Sequence, residues 1–302
     1  MSSSVSPDPT TRPLDAVAAS IVVALCLFWG FNQVATKLAI HEIPPLTQAA
    51  IRSAGAALIV AAWCRLRGLP LLARDGTLVA GLAAGFFFSL EFIFIYQGLL
   101  YTTATRAVLF IYLAPFFVVL GARIFLPADR FGPAQWLGLL LSFAGMIVAF
   151  GLPTPALDPR QALGDGMMVA AALFWAVTTL IIKASSLNKV SAEKVMLYQL
   201  VVSAPIMAAA AYALGEKITA MPSALAWGSM AYQTVWVVSV TFVIWFALMA
   251  RYSASRLSVF SFLTPLFGVA AGHFVLGEPL TPAFAAAVAL VAAGLVLVNK
   301  AK

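Results

Sequence analysis

RAVLFIYLAPFFVVLGARIFL, residues 106–126, returns as RLSVFSFLTPLFGVAAGHFVL at residues 256–276. At this offset of 150, Arg106 matches Arg256, Phe110 matches Phe260, Leu113 matches Leu263 and Pro115 matches Pro265. FWGFNQVATK at 28–37 likewise matches FWAVTTLIIK at 174–183 at an offset of 146. GPAQWLGLLLSFAG at 132–145 runs against TPAFAAAVALVAAG at 281–294, one residue out of step. The chain therefore reads as one unit written twice.

Composition fixes the solvent of that unit. Of the 302 residues, 63% are hydrophobic and 10% are charged, and mean hydropathy is +0.99. A soluble domain carries roughly a quarter charged residues. A fold in water could not hide this much apolar surface, so the chain reads as a multi-pass membrane protein. Crossing the hydrocarbon takes about 20 apolar residues in a helix. Segments near 16–38, 45–66, 77–98, 102–124, 133–151, 165–185, 192–213, 224–248, 255–276 and 281–299 qualify. Breaks rich in Pro, Gly or charge separate them, least clearly at 98–102 and 250–254. The short connections predict that sequential helices are neighbours. The expected organisation is a disordered tail at 1–15, a first five-helix repeat at 16–151, a connecting loop at 152–164 and a second repeat at 165–299.

Five helices per repeat is an odd number. The second repeat must then enter the membrane inverted relative to the first, an arrangement that underlies alternating access in many transporters. Loop charge sets the orientation. Arg12, Arg65, Arg67, Arg74, Arg123, Arg130, Lys189, Arg251, Lys300 and Lys302 fall on one side, with Arg160 and Lys217 opposite. Basic loops stay in the cytoplasm, which predicts both termini there. The same asymmetry explains the net charge of +7 without nucleic acid. Cys26 and Cys64, in or at the end of apolar segments, read as packing residues.

The order of motifs resembles the drug/metabolite transporter superfamily in its ten-helix EamA-type form. The carriers are WGFNQVATK at 29–37, FIYLAPFFVVL at 110–120, FSFLTPLFGVAAGHFVLGEPLT at 260–281 and AAGLVLV at 292–298. One departure is the LPADR run after the fourth helix, where the family usually has a Gly-Glu turn; LGEPL in the second half keeps it. The resemblance implies a transporter of small metabolites, often an exporter. It implies a central cavity lined by helices 1–4 and 6–9, with helices 5 and 10 bracing each half. Some branches of the superfamily export aromatic amino acids.

The polar residues of the spans are the candidates for that cavity. Trp29, Asn32, Gln33, Thr36 and Lys37 share one helical face, and Trp175, Thr178, Thr179 and Lys183 repeat it. Tyr96, Tyr112, Tyr198, Gln199, Gln233 and Trp236 join them. Such faces either bond helix to helix or line a cavity. Lys37 and Lys183 lie near helix ends and read as snorkelling. Pro115 and Pro265, as repeat mates, should bend their helices and are candidate hinges; Pro205 also lies inside a span. Gly81–Gly85 and Gly268–Gly272 suggest close helix contact, and only weakly a dimer.

One residue stands apart. In FFFSLEFIFIY, 86–96, Glu91 reads as the single clearly intramembrane carboxylate, with Asp165 placed at a helix end. By the charge map Glu91 and Arg52 lie at one depth, roughly 10 Å below the outer surface at 1.5 Å per residue. They either pair with each other or face the cavity, where Glu91 would hold an ammonium or a proton and Arg52 a carboxylate. No metal-ligand cluster, nucleotide-binding loop or catalytic constellation is legible, so no enzyme activity and no cofactor is expected. The expected partners are a small-molecule substrate and the lipid bilayer, with no nucleic acid, and the chain is expected as a monomer or weak homodimer. The reading is thus a secondary transporter of the bacterial inner membrane, exporting small metabolites such as amino acids. Efflux of cationic drugs, or a scaffold or sensor without flux, are the alternatives.

Overall fold

A computed structural model describes residues 12–71, 73–153, 158–277 and 279–300. Among the described residues, ten helices are long and apolar enough to cross a membrane. They are α1 (Ala16–Ala39), α2 (Pro45–Leu66), α3 (Leu78–Gly98), α4 (Ala104–Phe125), α5 (Pro133–Phe150), α6 (Pro159–Ala184), α7 (Ala192–Ala213), α8 (Ala224–Arg251), α9 (Ala254–Leu276) and α10 (Ala283–Lys300). No strand occurs among the described residues.

Local chemistry sets the boundaries. Side chains of Asp15, Thr103, Ser191, Ser223 and Ser253 accept from the first free N–H groups of α1, α4, α7, α8 and α9. Pro45, Pro133 and Pro159 occupy first-turn positions, where a missing N–H costs nothing. The α6 helix starts at Pro159 rather than at 165, because Asp158 caps it and its polar first turns find partners in α4. Residues 12–15, expected as part of the tail, are instead pinned. Leu14 is buried, and its N–H and C=O both bond the Asn299 side chain, at 3.0 and 2.9 Å. Residues 1–11, the rest of that expected tail, lie outside the described residues, as does Glu278 of the LGEPL turn.

Sequential helices are mostly not the principal neighbours. The dominant pairs are α5 with α10, α3 with α6, α2 with α7, α1 with α9, α3 with α7, and the second half of α4 with α6. All of these join the first five helices to the last five. The contact pattern is also symmetric when the halves are exchanged: α1–α9 becomes α6–α4, while α3–α6 and α3–α7 become α8–α1 and α8–α2, which are lesser contacts outside the dominant set. The α2–α7 and α5–α10 pairs map onto themselves. Two inverted repeats therefore interdigitate about a pseudo-two-fold axis, and α5 and α10 brace each other rather than each its own half.

Small residues make these seams. A Cβ on Gly30 of α1 would stand 2.6 Å from the backbone nitrogen of Gly268 in α9. A Cβ on Gly138 of α5 would stand 2.6 Å from the carbonyl oxygen of Gly294 in α10. Without a hydrophobic drive between helices in lipid, such backbone approach and its dispersion contacts are what association rests on.

Two irregularities shape the interior. The α4 helix is broken at Tyr112–Leu113, and α9 at Ser261–Phe262. Pro115 and Pro265 each stand just past the break, inside the restarted helix. These are interruptions of the helix where bends were expected. Each proline offers no N–H to the turn before it, and that turn tightens into i to i−3 bonds: Leu113 to Phe110 at 3.1 Å and Phe262 to Val259 at 3.2 Å. By contrast Pro205 sits within continuous α7. The second irregularity is a π-helical segment, Tyr232–Thr241, in the middle of α8.

Candidate functional site

A cavity of about 140 Å³ lies between α1, α3, α6, α7 and α8. Its wall is mostly aromatic: Trp29, Phe88, Phe92, Trp175, Phe242, Trp245 and Phe246. Trp29 stacks on Phe242 at 5.4 Å and meets Trp245 edge-on at 5.2 Å. Its indole N–H donates to Thr241 Oγ1 at 2.8 Å, and the Thr241 hydroxyl donates on to the Val237 carbonyl at 2.6 Å. That relay fixes the indole plane. The polar members are Glu91, Thr178, Thr179 and Gln199, and Glu91 is the one ionisable side chain in the lining. A larger groove of about 600 Å³, lined by Asp15, Ile21, Arg251 and Tyr252, opens at the terminal end and holds none of the predicted residues.

Six predicted residues thus meet in the cavity: Trp29, Glu91, Trp175, Thr178, Thr179 and Gln199. Three stand directly behind its wall. The Arg52 guanidinium lies 4.5 Å from the Phe92 ring centre. The Tyr96 ring lies 6.2 Å from the Phe92 ring. Tyr112, at the α4 break, meets Trp175 edge-on at 6.1 Å and Phe262 at 5.8 Å. Arg52 and Glu91 form no direct salt bridge. An aromatic ring, not a carboxylate, covers the guanidinium.

The other candidates lie elsewhere. Gln33 turns outward onto Gly268 at the α1–α9 seam, and Asn32 is outside the lining. Tyr198 packs over Gly81 and shares a 3.1 Å hydrogen bond with Thr77, so it serves the α3–α7 contact. Gln233 donates to Gln48 Oε1 at 2.9 Å and holds α8 to α2. Trp236 is 40% exposed and edge-on to Phe28, on the outside of the bundle. It lies within the π-helical segment, whose wider turn rotates each side chain less than the assumed 3.6-residue period does. Pro115 and Pro265 lie outside the cavity wall. The sequence reading missed Phe88, Phe92, Ile182, Phe242, Trp245, Phe246 and Met249. Their signal was present: 242, 245, 246 and 249 share one helical face, as do 88, 91 and 92.

Charged groups close both ends of the bundle. At the end away from the termini, the Glu216 carboxylate accepts from Leu46 N at 3.1 Å and Thr47 N at 2.7 Å, capping α2. The Glu42 carboxylate accepts from Ser223 and caps α8, and the Ser223 backbone N–H holds it below the usual carboxylate range. Asp165, read as a helix-end residue, is instead a second carboxylate inside a span. Arg106 forms a salt bridge with it, and Thr102 donates to it at 2.5 Å. At the terminal end, Asp129 of the divergent LPADR run accepts from Ser253 Oγ at 2.5 Å and Ser255 N at 3.1 Å, capping α9. Lys183 does not snorkel; it is buried and donates to the Met249 carbonyl of α8 and to the Tyr252 carbonyl just past its end. Lys194 pairs with Asp75 at 2.7 Å, which draws the Asp75 carboxyl down to about 2. Glu216, Glu42, Asp129, Asp75 and Asp165 each reach from one half to the other.

Comparison with known proteins places this architecture. A solved crystal structure shares the fold with a TM-score of 0.80 at 23% identity, over 94% of this chain and 98% of that one. The "Uncharacterized transporter YvbV" of Bacillus subtilis is 26% identical over 96% of this chain and 92% of its own length. The "Probable amino-acid metabolite efflux pump" of Salmonella typhimurium is 26% identical over 93% of both. The "Riboflavin transporter" of Rhizobium johnstonii is 32% identical, but over 39% of this chain and 37% of its own. The EamA-like transporter family matches residues 17–151 and 162–300. With ten membrane-length helices in two interdigitated repeats around an aromatic cavity, the chain belongs to the EamA-like transporter family.

Proposed function

We propose that this transporter exports small metabolites across the bacterial inner membrane, with aromatic amino acids favoured. Both termini are cytoplasmic, and the cavity between the repeats is served alternately from either side. The observation that carries this reading is a cavity between the halves that is walled by aromatic rings and holds one carboxylate. Its volume supports a substrate with a single ring, since a void of about 150 Å³ takes up benzene. Aromatic faces and Glu91 together suit an amine-bearing ring. The relative named as an amino-acid metabolite efflux pump supports the same class. No nucleotide-binding loop is present in the sequence, so transport is secondary.

Efflux of cationic drugs is the second reading. It is favoured by the position of Arg52 behind Phe92, which leaves the lining a carboxylate without a cation. Counterflow in proteoliposomes separates the two. Saturable exchange of phenylalanine or tyrosine, with none of tetraphenylphosphonium, is the expected result. The reverse pattern supports drug efflux, and no flux of any compound supports a scaffold.

A further inference from the structure

Three side chains in the cavity lining carry oxygens without partners. Gln199 is fully buried; its amide nitrogen donates to the Val195 carbonyl at 3.3 Å, while its Oε1 has no partner among the described residues. Thr178 is 5% exposed, and its Oγ1 is likewise without a partner there. The Glu91 carboxylate makes no hydrogen bond or salt bridge among the described residues. All three side chains line one cavity of about 140 Å³. A space of that size admits one small molecule, so they face the same occupant.

We propose that Glu91, Gln199 and Thr178 form a seat for a primary ammonium group. The transported molecule is then an aromatic primary amine or amino acid, and quaternary amines are excluded. This deepens the reading of the cavity given above and rests on it. An –NH₃⁺ group carries three donors and no acceptor, which matches one donor to each of three accepting side chains. A trimethylammonium carries the same charge and suits the same aromatic walls, but it leaves Gln199 and Thr178 unanswered. Sites that leave buried polar groups unpaired discriminate strongly against the ligand responsible. The aromatic wall alone would accept both cations. The orphaned oxygens are what separates them.

Binding to the purified full chain in nanodiscs tests the assignment with four probes that share one ring. These are 2-phenylethylamine, its N,N,N-trimethyl derivative, 2-phenylethanol and 3-phenylpropionate. The amine is expected to bind at least about tenfold more tightly than each of the others. Gln199→Leu and Thr178→Val, made separately, are expected to narrow the gap between the amine and its trimethyl derivative. Either variant suffices if the other fails to fold. Equal affinity of amine and trimethyl derivative in the unaltered protein overturns the proposal, and so does a gap that survives in the variants. If the alcohol or the carboxylate binds and the amine does not, the ammonium seat is wrong while the aromatic reading stands. If no probe binds, the aromatic reading itself falls, and the seat with it.

Discussion

At the scale of single residues, a carboxylate in hydrocarbon needs a counter-charge, a proton or a ligand. Glu91 makes no direct bond to Arg52, and it faces the cavity. Replacing it with Gln keeps the shape and removes both charge and titration. Glu91→Gln is expected to abolish any pH dependence of transport while the protein elutes from a sizing column as the unaltered one does. A wild-type pH profile in that variant would remove Glu91 from coupling. Asp75, outside the spans, carries a separate prediction. Its pairing with Lys194 lowers its carboxyl from 3.8 to about 2. A lowered value means that the stabilisation is complete above the unfolded value and is lost as pH falls through the folded one. Thermal melts in detergent between about pH 4 and pH 2 should therefore fall more steeply in the unaltered protein than in Asp75→Asn. Glu91 was legible in the sequence because ten apolar or small residues flank it. Asp165 was not legible, since a carboxylate near a predicted helix end looks solvated until Arg106 is seen beside it.

At the scale of elements, the repeat mates Pro115 and Pro265 mark two breaks related by the pseudo-two-fold axis. The α4 break holds Tyr112 against Trp175 of the cavity wall, and the α9 break holds Phe262 against Tyr112. We propose that motion at either break reaches the lining through Tyr112. Pro115→Ala and Pro265→Ala, each restoring a backbone donor, are expected to slow transport by several-fold while leaving helix content unchanged. Counterflow rates and circular dichroism decide it; unaltered rates in both variants would make the breaks static features. The prolines were visible in the sequence, and so was their pairing. Whether each would bend or interrupt its helix was not, because that depends on how the neighbouring helices satisfy the freed carbonyls. The π segment of α8 was equally hidden. Nothing in YQTVWVVSVT sets it apart from an ordinary apolar turn, and its effect was to carry Trp236 out of the predicted cavity.

At the scale of the whole molecule, the principal helix pairs and several carboxylate contacts join one half to the other. Neither half presents a closed surface by itself. Expressed separately, residues 12–153 and 158–302 are each expected to aggregate on solubilisation. Co-expressed, they are expected to elute together as a ten-helix complex. Size-exclusion profiles in detergent check this, and a monodisperse single half would contradict it.

The sequence by itself determined the ten spans, their breaks and the inverted repeat. These follow from a local rule: in hydrocarbon each segment must satisfy its own backbone and be long and apolar enough to cross. The tertiary structure alone decided which helices pair, that Arg52 lies behind Phe92, and which six of the candidate residues share a cavity. Those depend on the rotation of each helix about its axis. The rotation is fixed by glycine contacts between halves, by charge pairs at the helix ends and within the spans, and by one π-helical turn, none of which a single segment specifies.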